Sequence, residues 1–158
     1  MPRRKIFILA SSYFMSYPNS SQDLASSSFN NSQLLVDKRR FVLAVDDNRD
    51  NLDLLTQILD LWGCECLGVS HGCAALSAAA DRPPDLFVLD ICLPDIDGIE
   101  LVSRIKQDPK LLHIPVVAIT ALAKPEDRDR ILLAGCTEYL SKPFNLDDLE
   151  TIIHRYLN

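Results

Sequence analysis

The sequence has no C-x-x-C pair, and its five cysteines, at 64, 66, 73, 92 and 136, are odd in number. Cys64 and Cys66 would point the same way on a strand, but no further Cys or His cluster completes a zinc site. Reduced thiols, packed as small hydrophobes in a cytoplasmic protein, are the expected reading. A basic excess is also missing. The net charge is −6, and residues 38–158 hold 13 basic against 20 acidic side chains. Such a surface repels phosphate backbones, which argues against nucleic acid as a direct partner. Long hydrophobic runs are absent too. Near the N-terminus, Arg3, Arg4 and Lys5 precede Ile6–Ala10, but Ser11-Ser12 interrupts that run and Tyr17-Pro18-Asn19 ends it. It is too short to span a bilayer, so no membrane association or export is expected. No internal repeat is present.

What is there divides in two. The first 37 residues contain nine Ser and three Asn, scattered aromatics and no sustained period. Residues 1–38 are expected to be a disordered extension, or upstream sequence read from a misplaced start codon. Residues 39–158 form the expected domain, where regular patterns begin.

Phe41–Val45 is a continuous apolar run and predicts a buried strand. Leu52, Leu55, Ile58, Leu59 and Trp62 recur at helical spacing, with Asn48 as N-cap and Gly63 as the stop. Cys64–Val69 predicts a second strand. Residues 71–80 are Ala-rich and helical, and Pro83-Pro84 stops them. Leu86–Leu89 predicts a third strand. Ile99, Leu101, Val102 and Ile105 mark a helix that ends before Pro109. Residues 115–119 predict a fourth strand. Pro125 opens a polar helix to about Leu133, with Gly135 behind it. Thr137–Leu140 predicts a short fifth strand, and Asn145 caps a last helix carrying Leu146, Leu149, Ile152, Ile153 and Leu157. Five strands alternating with five helices imply βαβ units and a parallel sheet covered on both faces.

The chemistry gathers around Asp90. Leu86-Phe87-Val88-Leu89 delivers this carboxylate at a strand's C-terminal end, and Pro94 and Gly98 fix the backbone beyond it. The first strand ends in Asp46-Asp47, the fourth in Thr120, and Lys142-Pro143 follows the fifth. In a parallel sheet with helical crossovers these ends share one edge, where ligands bind. Three carboxylates brought together repel one another unless a cation is present. An all-oxygen site with room for water suits Mg2+. One ammonium–carboxylate pair at 4 Å adds roughly 4 kcal/mol of Coulomb energy before solvation costs. Carboxylates, a divalent cation, a lysine and a hydroxyl are the parts that hold a phosphoryl group while a carboxylate oxygen attacks phosphorus.

With these motifs in order, residues 40–158 resemble the receiver domain of two-component response regulators. The motifs are Asp46-Asp47, the stretch Asp90–Gly98, Ile119-Thr120-Ala121 and the stretch Tyr139–Phe144, with 30 residues from Asp90 to Thr120 and 22 from Thr120 to Lys142. The resemblance implies a CheY-like, flavodoxin-like fold: a doubly wound five-stranded parallel α/β sheet in the order 2-1-3-4-5. It implies that Asp90 is the phosphoacceptor, taking its phosphoryl group from a phosphohistidine on a sensor histidine kinase or histidine phosphotransfer protein. Mg2+ would be held by Asp46 (partly through water), Asp47, Asp90 and the backbone carbonyl of Cys92. Lys142 would pair with the phosphoryl group, Thr120 would bond to it, and Tyr139 would be the aromatic whose inward rotamer follows Thr120. Lys142-Pro143 would be the family's cis peptide. Output would pass to an unknown partner at the face of the fourth helix, fifth strand and fifth helix.

Leu93 stands where Met is frequent, a volume-conserving swap. Cys92 and Leu122, two residues past Asp90 and Thr120, are apolar where many members are polar, so a long-lived phosphorylated state is expected. Asp95 and Asp97 read as turn and cap residues, and the run Glu126–Arg130 as a solvated helix face. His71, His113 and His154 read as solvent-facing. Because the chain stops after the last helix, a stand-alone switch without an attached effector is expected, and not an enzyme. Three other readings remain: a receiver-shaped binding module without phosphorylation, an Asp-nucleophile phosphatase of the haloacid dehalogenase type, and a flavin-binding protein. The phosphatase would need an Asp-x-Asp pattern on the first strand and a cap domain. The flavin site would need a Ser/Thr/Gly-rich loop after strand one, where this chain has Asp46-Asp47-Asn48.

Overall fold

The computed structural model describes residues 39–122 and 124–157. The expectation for residues 1–38 lies outside the described residues. Five strands, β1 (Phe41–Val45), β2 (Glu65–Val69), β3 (Leu86–Leu89), β4 (Val116–Thr120) and β5 (Glu138–Ser141), alternate with five helices. The helices are α1 (Arg49–Leu61), α2 (Gly72–Asp81), α3 (Gly98–Gln107), α4 (Pro125–Leu133) and α5 (Leu146–Leu157). All pairings are parallel and the order is β2-β1-β3-β4-β5. The expected doubly wound α/β architecture is therefore present.

Alternation along each strand divides the core. Val42, Leu86, Val88, Val117 and Ile119 pack against Leu55 and Leu59 of α1 and Leu149, Ile152 and Ile153 of α5. Leu43, Val45, Phe87, Leu89, Val116 and Ala118 pack on the other face, with Ala75 and Ala79 of α2, Leu101, Val102 and Ile105 of α3, and Ile131 of α4. A period of two sends successive side chains to opposite faces, so both faces of the central strands are apolar.

Local chemistry sets the helix ends. Asn48 accepts from the N–H groups of Asp50 and Asn51 and so caps α1. Gly63, at φ +81°, turns the chain into β2. Asp97 accepts from Ile99 N and starts α3. Asn145 precedes α5 and contributes its backbone carbonyl to Asp148 and Leu149. The fifth strand starts one residue later than expected. Thr137 instead closes a corner, its N–H donating to Val116 O and its hydroxyl accepting from Val116 N.

The five cysteines are unpaired. Burial pushes the Cys136 thiol up to about 12 and raises Cys64 and Cys66, which fits thiols used as packing, but Cys73 and Cys92 are exposed and do not pack as expected. Among the described residues, no helix is long and apolar enough to cross a membrane. Leu59 is fully buried between α1 and the sheet. Leu59→Ala should lower the unfolding free energy by about 2–5 kcal/mol, read as a lower urea midpoint at unchanged slope.

Candidate functional site

β1 and β3 are neighbours with Val45 opposite Leu89, so the next residues, Asp46 and Asp90, leave the sheet side by side. The strand order reverses here: β2 lies on one side of β1 and β3 on the other. That switch point is where open α/β sheets leave a crevice. Backbone bonds hold both acids in place, Asp90 N donating to Val45 O at 2.8 Å and Asp46 N to Val69 O at 3.2 Å. Lys142 follows β5 and is tied to the end of β4, its N–H donating to Thr120 O at 2.9 Å. The Lys142-Pro143 bond is cis.

One ammonium joins the two acids. Lys142 Nζ lies 2.8 Å from Asp46 Oδ2 and 2.7 Å from Asp90 Oδ2. Asp46 is 2% exposed and Asp90 8%, so neither charge is solvated like a surface group. At an effective dielectric of 20, each pair gains about 6 kcal/mol of Coulomb energy. Desolvating three ions costs several kcal/mol apiece, so the triad's net stabilisation is small, while severing it is costly. Partial burial pulls the Lys142 ammonium down, but hydrogen bonds and charge from Asp46 and Asp90 outweigh it. Its pKa is held above the ordinary lysine value of 10.5.

The other oxygen of each acid also has a backbone donor. Asp46 accepts from Asn48 N at 2.9 Å and from Asn51 Nδ2 at 3.2 and 3.0 Å. Asn51, in the first turn of α1, is a site residue the sequence reading missed. Its only signal was a polar side chain five residues past Asp46. Asp90 Oδ1 accepts from Cys92 N at 2.9 Å. The exposed Cys92 thiol lies 3.7 Å from Thr120 Oγ1, a fully buried hydroxyl that also accepts from Leu122 N at 3.3 Å. Bonds thus run from Asp46 through Lys142 and Asp90 to Cys92 and Thr120.

Two expected site residues stand apart from that chain of bonds. Asp47 is exposed beside Asp46. Tyr139 is half-buried and donates its hydroxyl to Leu122 O, tying β5 to the turn that follows Thr120. Among the described residues, no three His, Cys, Asp or Glu side chains form a ready-made metal cage. The donor set nonetheless fits Mg2+, which is held by one or two carboxylates and keeps several waters. Two buried carboxylates against one ammonium leave one negative charge over. Beside the site an apolar groove of about 370 Å³ opens, lined by Leu54, Leu55, Ile58, Phe144 and Leu146 and reaching Asp46 and Lys142.

Comparison with known proteins agrees with this geometry. Residues 42–154 match the family model described as the response regulator receiver domain. The polar-differentiation response regulator DivK of Brucella anthropi is 38% identical over 116 residues, which span 73% of this chain and 94% of that protein. The chemotaxis response regulator CheY4 of Vibrio cholerae superposes with a TM-score of 0.71 at 28% identity, covering 75% of this chain and 99% of its own. The receiver domain of a sensor histidine kinase from Pseudomonas aeruginosa PAO1 superposes with a TM-score of 0.70 at 30% identity, covering 75% and 98%. That structure holds a magnesium ion coordinated in its active site cleft.

Lys142→Met should cost on the order of 3 kcal/mol at neutral pH, because it leaves Asp46 and Asp90 buried without a cation. A raised folded-state pKa gives stability that is complete below 10.5 and is lost as pH rises through the folded value. The stability gap between wild type and Lys142→Met should therefore hold from pH 7 to 10 and close above that. Urea unfolding at a series of pH values measures it.

Proposed function

The chain belongs to the response regulator receiver domain family, and from that premise we propose that it is a stand-alone receiver of a two-component phosphorelay, phosphorylated on Asp90. The observation that carries the reading is the Lys142 ammonium bridging two buried carboxylates at the switch point. Such an arrangement has a use when a phosphoryl group arrives.

In the proposed reaction an Asp90 oxygen attacks phosphorus on a partner's phosphohistidine. The P–O bond forms as the P–N bond breaks, and the released imidazole takes a proton from solvent. Lys142, already 2.7 Å from Asp90, pairs with the arriving phosphoryl oxygens without having to be recruited. Thr120 turns its buried hydroxyl from Leu122 N and Cys92 towards them. Asp46 (partly through water), Asp47, Asp90 and the Cys92 carbonyl would hold Mg2+, which would supply further neutralisation of phosphoryl charge. The groove along α1 and the start of α5 is the surface offered to the sensor histidine kinase or histidine phosphotransfer protein. Its exposed Leu54 and Leu146 flank the approach to Asp46 and Lys142.

Tyr139 ties β5 to the segment after Thr120, so a change at Thr120 reaches the face of α4, β5 and α5. Phosphorylation shifts a pre-existing equilibrium there towards the form that binds the output partner, which needs a few kcal/mol of differential stabilisation. The net negative charge argues against nucleic acid as that partner, and the unpaired thiols suit a cytoplasmic setting. Cys92 is exposed and Leu122 half-buried. Neither offers a carboxylate or amide to orient an attacking water, so the acyl phosphate is long-lived.

Incubation with phosphoramidate or acetyl phosphate and Mg2+, followed by intact mass spectrometry, tests the reading. Wild type should gain one phosphoryl mass, and that gain should require Mg2+ and vanish in Asp90→Asn. Decay should take minutes or longer, and loss within seconds would sink the long-lived state. No gain with any donor would mean a receiver-shaped binding module instead.

A further inference from the structure

We propose that Asp95 is a positioning residue for this site: by capping α2 from a distance, it holds the loop after β3 so that Cys92 keeps its N–H on the Asp90 carboxylate. The consequence for phosphotransfer rests on the reading of Asp90 given above.

Helix α2 begins without a cap of its own. His71 occupies the N-cap position but makes no capping bond with its side chain. The orphan N–H groups of the first turn are instead met by Asp95, more than twenty residues later. Gly72 N donates to its Oδ1 and Cys73 N to its Oδ2, each at 2.9 Å. Those two donors hold the exposed Asp95 carboxyl well below the usual carboxylate range. The neighbouring Ile96 packs on the same turn. A Cβ added at Gly72 would lie 2.6 Å from Ile96 Cγ1, so a hydrogen-bonded clamp and a steric one act together.

The other end of the loop is closed as tightly. Gly98 N and Leu93 N both donate to Ile91 O, at 3.0 and 3.1 Å. A Cβ on Gly98 would fall 2.4 Å from Ile91 Cα. The segment between Asp90 and α3 is therefore pinned at its root by Ile91 and at its crest by Asp95. Cys92 lies between these points, with its N–H on Asp90 Oδ1 and its thiol near Thr120. Releasing the crest leaves Cys92 in a loop held at its root alone, and the added disorder must then be removed when the phosphoryl group arrives.

The test compares wild type, Asp95→Ala, Asp95→Asn and Arg82→Ala. Arg82 stacks on Phe41 and pairs with Glu65 at the opposite edge of the sheet, so its variant is destabilised far from the site. Amide hydrogen exchange is followed at Gly72, Cys73 and Cys92, and phosphorylation by phosphoramidate in saturating Mg2+ is followed by mass. In Asp95→Ala, exchange at all three amides should rise about tenfold, and the phosphorylation rate should fall by about threefold to tenfold. Asp95→Asn keeps one acceptor oxygen and should restore part of both. Arg82→Ala should lower Tm and leave Cys92 exchange and the rate unchanged. Faster exchange at Gly72 and Cys73 with Cys92 at its wild-type value would overturn the proposal and leave Asp95 a helix cap only. Wild type that accepts no phosphoryl group would instead defeat the reading of Asp90, and Cys92 exchange would still decide whether the clamp exists.

Discussion

Two nearly buried carboxylates sharing one ammonium is the constraint on which the rest of the structure depends. Asp46 comes from β1, Asp90 from β3 and Lys142 from beyond β5. They meet only if β3 sits beside β1 and if β4 and β5 follow on the same side, all parallel and in one register. A sheet shifted by one residue would turn both acids into the core. The ion triad therefore selects one strand order and one register from the many that five apolar runs could adopt.

The sheet meets this demand by dividing its labour. Alternate residues of the central strands feed two separate apolar layers, so neither depends on polar side chains. The carboxyl-end residues are then free to be chosen for chemistry. Backbone bonds from Asp90 N to Val45 O and from Lys142 N to Thr120 O carry that rigidity outward by one residue beyond the strands. Positions at strand ends gain the precision of the sheet while facing a crevice, a combination that a free loop does not provide.

Much of this was legible in the sequence because the signals were local. Leu86–Leu89 is an unbroken apolar run and forms the strand expected, as Pro125 and Gly135 bracket the helix expected. Asn48 caps α1 through atoms two and three residues away. The convergence of Asp46, Asp90, Thr120 and Lys142 followed from parallel topology, since strand ends on one edge need no detailed geometry. What escaped was non-local or turned on a side chain's rotamer. Asp95 was expected to serve its own turn, yet it serves a helix more than twenty residues back. Nothing in the sequence near Asp95 names Gly72 as its partner. Asn51 looked like any exposed helical polar residue until α1 was laid against Asp46. Thr137 has the composition of a strand residue, but its hydroxyl caps the ladder and does not extend it.

Helix α4 stands out among the five, because only Ile131 of its nine residues is buried. The other helices each contribute three or four residues to the core. Sequence change along α4 is thus almost uncoupled from folding. The charges from Glu126 to Asp129 can therefore change at little cost in stability, whereas Arg130 lines a cavity with Ile91 and Cys92 next to Asp90. If the face of α4 is the surface an output partner reads, as proposed above, specificity there can drift without loss of the fold, because the core does not constrain it.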